Sequence, residues 1–190
     1  MIFQKTPISE AYLIDVEKHR DERGFFARAF CAAEFGANKL ATKFVQVNNS
    51  FSGPRGTLRG MHYQLAPKAE TKLVRCIRGA LYDVILDLRR DSATFGKSFG
   101  VELTDENRRM MYVPKGVAHG FLTLNDESEA FYFVDEFYTP EMERGIRWDD
   151  PTFAIEWPFE PIFLSDKDRG HPDFDPADHL VMPAQATTAR

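Results

Sequence analysis

Short runs of alternating apolar and polar residues cover most of the chain and predict a series of β-strands. Two weak runs lie within residues 1–18, and stronger runs follow at 44–50, 57–64, 72–77, 80–88, 99–103, 109–113, 118–124 and 130–137. Gly, Pro, Asn and Asp separate these runs, and almost no helix lies between them. Such a pattern is typical of an antiparallel sandwich or barrel. We therefore predict an all-β fold and favour a jelly roll, because this fold closes most of its own sheet edges.

Helical character is confined to short stretches. Residues 32–40 are loosely amphipathic and predict one short helix. From residue 139 onward the chain is irregular and rich in Pro, Asp and aromatic residues, which predicts an extended segment with short helical turns wrapping the barrel. We expect residues 182–190 to form a frayed tail. Since no repeat, low-complexity tract or linker divides the sequence, we expect a single domain over residues 1–190.

The predicted strand at 57–64 is unusually polar for its apolar neighbourhood. It carries Arg59, His62 and Gln64 beside Gly60, a residue that allows close approach to the backbone. Strict alternation places His62 and Gln64 on one face and Arg59 on the other. A site that uses both Arg59 and His62 therefore needs a kink at Gly60 or a position at the mouth of the barrel. His62 is the first candidate for chemistry.

Three further side chains on predicted strands could share a pocket with His62. His119 follows a Pro-Lys-Gly turn, as a second strand histidine flanked by glycine. Lys72 opens its strand; in solvent it would snorkel, whereas in a pocket it would stabilise a developing oxyanion. Tyr132 carries the hydroxyl group of the apolar segment 130–134. Its ring would fill the core, or its phenol would act as an acid opposite a base.

Two other segments allow both a structural and a functional interpretation. In 44–50, alternation places Gln46, Asn48 and Ser50 on one face, which is either solvated or the polar wall of a pocket. The charged segment 21–26 predicts a surface turn with the rings of its paired phenylalanines in the core, or alternatively part of a site.

Metal binding is the main competitor to acid/base chemistry. Small jelly rolls often hold a metal with a His-x-His pair, a carboxylate and a third histidine, but the chain has no His-x-His, and Gln64 stands two residues after His62. The histidines His19, His171 and His179 fall in predicted turns or the tail. A three-histidine site built from distant residues stays open, but we expect no metal and favour metal-free acid/base catalysis.

Composition and charge exclude several classes of protein. The chain is 43% hydrophobic and 28% charged, as expected for a globular protein, and its net charge of −5 argues against nucleic-acid and anionic-membrane partners. A local basic cluster could still bind a diphosphate. No run is long enough to span a membrane and no secretion signal is recognisable, so we expect a cytoplasmic protein with Cys31 and Cys76 as unpaired thiols.

Eight motifs, in order and without large gaps over roughly residues 1–170, resemble the dTDP-4-dehydrorhamnose 3,5-epimerase family. They are Asp21-Glu22-Arg23-Gly24-Phe25-Phe26, Gln46-x-Asn48-x-Ser50, Leu58-Arg59-Gly60-Met61-His62-Tyr63-Gln64, Lys72-Leu73-Val74-Arg75-Cys76, Thr94-Phe95-Gly96, Pro114-x-Gly116-x-Ala118-His119-Gly120-Phe121, Gly145-Ile146-Arg147-Trp148-Asp149-Asp150-Pro151 and Leu164-Ser165-x-Lys167-Asp168. Each motif is short, but the ordered set is specific.

The resemblance implies a cupin-type jelly-roll homodimer that epimerises a nucleotide-linked 4-keto-6-deoxyhexose without a metal or redox cofactor. By resemblance, His62 is the base, Asp168 orients it and Tyr132 is the acid. Lys72 would stabilise the enolate at the C4 oxygen, and His119 would contact the sugar.

The resemblance also implies a set of substrate-binding residues. Arg59, Gln46, Asn48 and Lys167 would contact the diphosphate and ribose. Arg23 and Phe26 would reach into the site from the partner subunit. Tyr138 would stack on the base, and Glu143 would make a further substrate contact.

Two departures from the family pattern keep alternatives open. Arg28 stands where the family usually has a carboxylate, and this change affects which base or phosphate contact of the nucleotide is favoured. Phe133 stands where the family often has a lysine, which makes the surroundings of Tyr132 more apolar. A C3-only epimerase or an epimerase of a CDP-4-keto-6-deoxyhexose are therefore alternatives. A metal-dependent cupin oxygenase and a non-catalytic sugar-nucleotide binder are competing hypotheses from other classes.

Overall fold

The computed structural model describes residues 1–180, which form thirteen β-strands and a few short helices. The predicted frayed tail at 182–190 lies outside the described residues. In chain order the elements are β1 (Ile2–Lys5), β2 (Tyr12–Asp15), β3 (His19–Asp21), β4 (Gly24–Phe26), α1 (Ala32–Ala37), β5 (Gln46–Ser52), β6 (Leu58–Gln64), β7 (Lys72–Arg78), β8 (Ala80–Asp87), β9 (Ser98–Thr104), β10 (Met110–Val113), β11 (Val117–Thr123), β12 (Ser128–Val134), a 3₁₀ helix (Pro140–Met142), β13 (Glu143–Gly145), α2 (Asp166–Arg169) and α3 (Pro176–His179).

Two antiparallel sheets face each other, as in a cupin-type jelly roll. One sheet has the strand order β1-β2-β10-β7-β12-β5, and the other has the order β13-β6-β11-β8-β9. A separate hairpin pairs β3 with β4. Every paired strand is antiparallel to its neighbour, so the predicted all-β jelly roll is confirmed.

Apolar side chains from both sheets meet in a central core. Val74, Leu81, Ile85 and Met111 are fully buried there. A second cluster, which includes Met61 and Phe153, lies where the C-terminal segment packs on the outer face of the five-stranded sheet. Because central strands such as β8 are thus covered on both faces, they consist of nearly continuous apolar residues rather than an alternating pattern.

Helix α1 owes its position to one aromatic side chain. It has only six residues and no side-chain cap at its N-terminus, so it would not be stable in isolation. Phe35 is fully buried against Ile14, Leu73 and Met110 on the outer face of the six-stranded sheet. Burial of a phenylalanine is worth roughly 1.5–3 kcal/mol, which fastens the helix to the sheet.

Of the two interpretations of segment 21–26, the one that places its paired phenylalanines in the core is wrong. Phe25 and Phe26, on the β3–β4 hairpin, are 38% and 68% exposed. The two-stranded hairpin belongs to neither large sheet, so neither main core takes up its side chains. None of the helices in residues 1–180 is long and apolar enough to cross a membrane.

Candidate active site

Two adjoining cavities, of about 410 and 380 Å³, share three lining side chains: His62, Lys72 and Tyr132. Both sheets contribute to the walls. The predicted residues Arg59, His119, Lys167 and Asp168 line the first cavity, and Gln46, Asn48, Tyr138 and Glu143 line the second. We refer to the two cavities together as the cleft. The polar face of β5 is therefore a pocket wall rather than a solvated surface.

An irregularity in β6 brings Arg59 and His62 to the same cleft. His62 is the Cα partner of His119 and Arg59 that of Phe121, so β6 advances three residues where β11 advances two. An extra residue of this kind, a β-bulge, reverses the alternation of side chains beyond it. Gly60 lies within the bulge, with a φ of 121°. Of the two arrangements that the sequence left open, the structure has the kink at Gly60.

Close contact between two strands explains the glycine at position 60. A Cβ atom on Gly60 would lie 2.5 Å from the Cα of Gly120 and 2.8 Å from the carbonyl oxygen of His119. Its positive φ also disfavours any residue with a side chain.

His62 and Asp168 form a short hydrogen bond. Their Nε2 and Oδ1 atoms are 2.6 Å apart, and the carboxylate is almost completely buried. Asp168 lies on α2, whose first turn is capped by Ser165: the Oγ atom accepts from the Asp168 amide at 3.0 Å. Since a carboxylate can only accept, we assign the shared proton to Nε2, which leaves the lone pair on Nδ1 of the neutral ring.

The surroundings keep Asp168 ionised. Burial alone would raise its pKa, but the imidazoles of His171 and His62 beside the carboxylate outweigh burial and hold the pKa well below its usual range. The buried carboxylate is therefore available as a permanent acceptor.

A histidine that the sequence placed in a turn also belongs to this region. His171 Nε2 lies 3.6 Å from the same Oδ1 atom of Asp168, and its ring meets that of His62 edge to face at 5.9 Å. The ring rests on Gly145, where a Cβ atom would lie 2.1 Å from it. No sequence signal identified His171, because the loop after α2 and the strand β13 approach each other only in the folded chain.

Within residues 1–180, one group of side chains has the spacing of metal ligands. Its members are His62, Asp168 and His171, whose ligand atoms all lie within 4.8 Å of one another.

Lys72 is held inside the cleft instead of extending into solvent. It is 7% exposed, and its Nζ atom donates to the carbonyl oxygen of His62 at 3.1 Å and lies 3.1 Å from Glu70 Oε1. Glu70 also accepts from Gln64, which fixes the amide as a structural group. Sequence reasoning missed Glu70, since the loop before β7 carries no periodic pattern.

Tyr132 is protonated at neutral pH. Burial raises its pKa most, Glu70 raises it further, and Arg59 opposes the shift. A neutral phenol on the wall of the cleft can donate a proton or a hydrogen bond.

His119 forms a second histidine–carboxylate pair deep in the sheet. Its Nε2 atom is 2.7 Å from Asp83 Oδ1, and both side chains are buried. Asp83 was missed by sequence reasoning. Its signal was an acid between Leu81 and Ile85, two residues of the central core, at an inward position of a mostly apolar strand.

Side chains at the outer part of the cleft form hydrogen bonds with one another and with the backbone. Glu143 accepts from Lys167 at 2.6 Å and from Tyr138 at 2.7 Å. Burial raises the pKa of Glu143, but these two hydrogen bonds outweigh it and lower the pKa. Arg59 donates to Ser52 and to the carbonyl oxygen of Phe51.

Two predicted residues lie outside the cleft of their own chain. Arg23 and Phe26 are on the β3–β4 hairpin, where Arg23 pairs with Asp21 at 2.5 Å and both Arg23 and Phe26 are exposed. Neither lines the two cavities formed by the described residues.

The fold and cleft together define a class of protein. This is a cupin-type jelly roll whose cleft carries an oriented histidine, a neutral phenol and a buried ammonium, the groups required for acid/base catalysis next to a carbonyl.

Comparisons with known proteins identify the family. The family model for dTDP-4-dehydrorhamnose 3,5-epimerase matches residues 5–176. The dTDP-4-dehydrorhamnose 3,5-epimerase of Methanothermobacter thermautotrophicus is 48% identical over 170 residues, which cover 88% of this chain and 91% of that protein. The chain belongs to the dTDP-4-dehydrorhamnose 3,5-epimerase family.

Two solved structures show the range of activities among similar proteins. The dTDP-6-deoxy-D-glucose-3,5-epimerase of Legionella pneumophila, in complex with dTDP-4-keto-L-rhamnose, has a TM-score of 0.88 at 37% identity and covers 96% of this chain and 99% of its own. A 3'-monoepimerase from Streptomyces bikiniensis, in complex with dTDP-quinovose, has a TM-score of 0.82 at 33% identity. The match covers 90% of this chain and 86% of that protein.

Proposed function

We propose that this protein is an isomerase that inverts C3 and C5 of a dTDP-linked 4-keto-6-deoxyhexose, as dTDP-4-dehydrorhamnose 3,5-epimerases do. The observation that carries the proposal is the arrangement of the Asp168-bound His62, Tyr132 and Lys72 around one cleft. The ketone at C4 acidifies the protons on both neighbouring carbons. An enzyme of this kind therefore needs a base, an acid and a group that stabilises an enolate.

His62 is the proposed base. Asp168 accepts from Nε2 and so fixes both the ring orientation and the tautomer in which Nδ1 can accept a proton. When Nδ1 takes the proton from carbon, the buried carboxylate stabilises the imidazolium that forms. A positioned base contributes roughly 10²–10⁴-fold to such a step.

Tyr132 is the proposed acid that delivers a proton to the opposite face of the carbon. Lys72 would meet the negative charge that develops on the C4 oxygen, and its contacts with Glu70 and with the His62 carbonyl hold the ammonium in place before the reaction. His119, fixed by Asp83, is a further hydrogen-bonding group for the sugar. Each step is served by a side chain, so we propose that the reaction requires neither a metal nor a redox cofactor.

The outer cleft is the proposed nucleotide site. Arg59 and Lys167 provide positive charge for the diphosphate, Gln46 and Asn48 provide amides for polar groups of the nucleotide, and Tyr138 offers a ring on which a base can stack. Glu143 holds Lys167 and Tyr138 by hydrogen bonds. A bound nucleotide would therefore exchange these internal hydrogen bonds for contacts with the ligand.

We propose that two copies of the chain form a homodimer that completes this site. The outward side chains of the edge strand β5 include Val47 and Phe51, which are 51% and 49% exposed. An apolar sheet face of this kind is suited to a second copy. The hairpin with Arg23 and Phe26 would then reach the cleft of the partner.

Incubation in heavy water tests the reaction. With dTDP-4-keto-6-deoxyglucose, mass spectrometry should detect two deuterons in the product, because each inverted carbon receives a proton from solvent. One deuteron would show the C3-only reaction, which the similarity to a 3'-monoepimerase makes the main alternative. Parallel incubation with the CDP-linked sugar decides the nucleotide, and absence of exchange with both substrates would refute the proposal.

Two variants separate the roles of base and acid. His62→Asn should lower deuterium incorporation by about 10²–10⁴-fold. Tyr132→Phe retains the base, so exchange should continue while inversion is lost, because His62 can return a deuteron to the face from which it removed the proton. Nuclear magnetic resonance of the sugar protons distinguishes exchange from inversion. If the two variants behave alike, the assignment of base and acid is wrong.

A further inference from the structure

One histidine beside the proposed base has no part in the proposed reaction. His171 is 12% exposed, and its Nε2 atom is buried without a hydrogen-bond partner among the described residues. The atom nevertheless lies 3.6 Å from Asp168 Oδ1. An uncommitted imidazole nitrogen next to a buried carboxylate and a second histidine is a typical donor set for a transition metal.

We propose that His62, Asp168 and His171 form a site for a divalent transition-metal ion such as Zn²⁺, and that metal binding inactivates the enzyme. The second half of this proposal rests on His62 being the base of the proposed function. The first half depends only on the geometry of the three side chains.

The distances fit a tetrahedral ion after small side-chain movements. Zinc binds imidazole nitrogen and carboxylate oxygen at about 2.0–2.2 Å, which separates two tetrahedral ligand atoms by roughly 3.4 Å. The separations from Asp168 Oδ1 are 2.6 Å to His62 and 3.6 Å to His171, and the three ligand atoms all lie within 4.8 Å of one another. His62 and Asp168 line one cavity and His171 lines another of about 350 Å³, so a water molecule could provide the fourth ligand.

Metal binding at this position would remove the basic form of His62. Coordination requires the lone pair on Nε2, so the proton of the neutral ring must move to Nδ1. Nδ1 is the atom proposed to accept the proton from the sugar. The hydrogen bond between His62 and Asp168 is lost in the same step. A bound ion would therefore block proton abstraction even where the sugar nucleotide can still bind.

Zinc titration of the full chain, first treated with a chelator, tests the site directly. Competition with a chromophoric chelator should give one Zn²⁺ per chain. Removal of one of three ligands in His171→Gln should weaken binding by at least about tenfold. His171→Cys supplies a thiolate that zinc also accepts, so it should restore binding. His19→Gln, which changes an exposed histidine on β3, is the matched control and should bind Zn²⁺ like the unmodified protein.

Titration with Co²⁺ in place of Zn²⁺ reports the geometry of the site, since the visible absorption of bound Co²⁺ depends on its coordination number. Circular dichroism of both His171 variants would check that they are folded. Wild-type zinc affinity in His171→Gln, or failure of His171→Cys to exceed His171→Gln, would overturn the site.

Deuterium exchange into the sugar measures whether bound metal inactivates the enzyme. Zn²⁺ should suppress exchange in the unmodified protein, EDTA should reverse the effect, and His171→Gln should need at least about tenfold more zinc. Full exchange at saturating zinc would overturn the inhibitory role. If the metal-free protein shows no exchange with any substrate, the proposed function fails, whereas the zinc titration still decides whether the site exists.

Discussion

At the scale of single residues, one buried carboxylate organises the reactive part of the cleft. Asp168 holds the ring of His62, and its ionised form is stabilised by the two histidines beside it. The carboxylate is brought there by a helix of one turn, which begins at the Ser165 cap. The orientation of the proposed base therefore depends on a local feature of the chain far from β6 in sequence.

Asp168→Asn should lower the epimerisation rate by about 10²-fold or more, because an amide can no longer stabilise the imidazolium. It should also change acid stability. The folded-state pKa of Asp168 is lowered, so its stabilising contribution is complete above the unfolded value of about 3.9 and is lost as the pH falls toward the folded value. The difference in unfolding free energy between wild type and variant should narrow as the pH falls below 3.9, as measured by urea denaturation.

Asp166→Asn is the control, since Asp166 is exposed on the same helix. A difference between wild type and Asp168→Asn that stays constant from pH 6 to pH 2 would show that the carboxylate does not stabilise the fold through its charge.

At the scale of elements, the bulge in β6 decides which side chains share the cleft. Without it, Arg59 would point to the opposite face of the strand from His62. With the bulge, Met61 and Tyr63 pack in the apolar cluster on the outer face of the five-stranded sheet. Arg59 and His62 then both line the first cavity. A single extra residue thus combines a candidate diphosphate contact with the candidate base.

Gly60→Ala should disrupt the bulge. The new methyl group would overlap Gly120 and the residue would have to keep a positive φ, so we expect a loss of about 2 kcal/mol or more in unfolding free energy. Chemical denaturation measures this loss. Gly53→Ala is a matched control, since its Cβ atom would meet nothing within 4 Å, and its effect should stay within about 0.5 kcal/mol. Equal stabilities of the two variants would show that the bulge tolerates a side chain.

At the scale of the whole molecule, the single chain leaves exposed apolar groups that a second copy could cover. The hairpin with Arg23 and Phe26 projects from the sandwich, and β5 is the edge strand of its sheet, paired only with β12 among the described residues. Both features are consistent with the proposed homodimer.

Mixed dimers test whether the hairpin of one copy completes the cleft of the other. Arg23→Ala and His62→Asn should each impair activity, but a mixed dimer has one cleft with an intact His62 and an intact hairpin from its partner. Random assembly of equal amounts should make about one quarter of the clefts competent. Co-expression with two affinity tags isolates the mixed dimer for assay. Activity no higher than that of the two variants alone would contradict the exchange of hairpins.

Sequence reasoning recovered most of the strands and most of the cleft. The runs at 72–77, 80–88 and 99–103 correspond to β7, β8 and β9, with ends that differ by one residue. His62, Asp168, Tyr132 and Lys72, to which the family resemblance gives catalytic roles, all line one cavity, and their roles stay predictions. Local patterns suffice here, because strand periodicity and short motifs depend on neighbouring residues.

The sequence by itself determined the antiparallel jelly roll, the family and the presence of a polar strand on which His62 and Arg59 can share a ligand only through a kink at Gly60 or at the mouth of the barrel. The tertiary structure decided which distant groups meet. His171 and Glu70 approach the cleft, Asp83 pairs with His119, and Phe25 and Phe26 stay outside the core. These contacts join parts of the chain that are far apart in sequence or depend on how loops cross the sheets, so no local pattern encodes them. The polar strand is thus one wall of a cleft, and the folded chain decided both its bulge at Gly60 and the distant side chains that meet it.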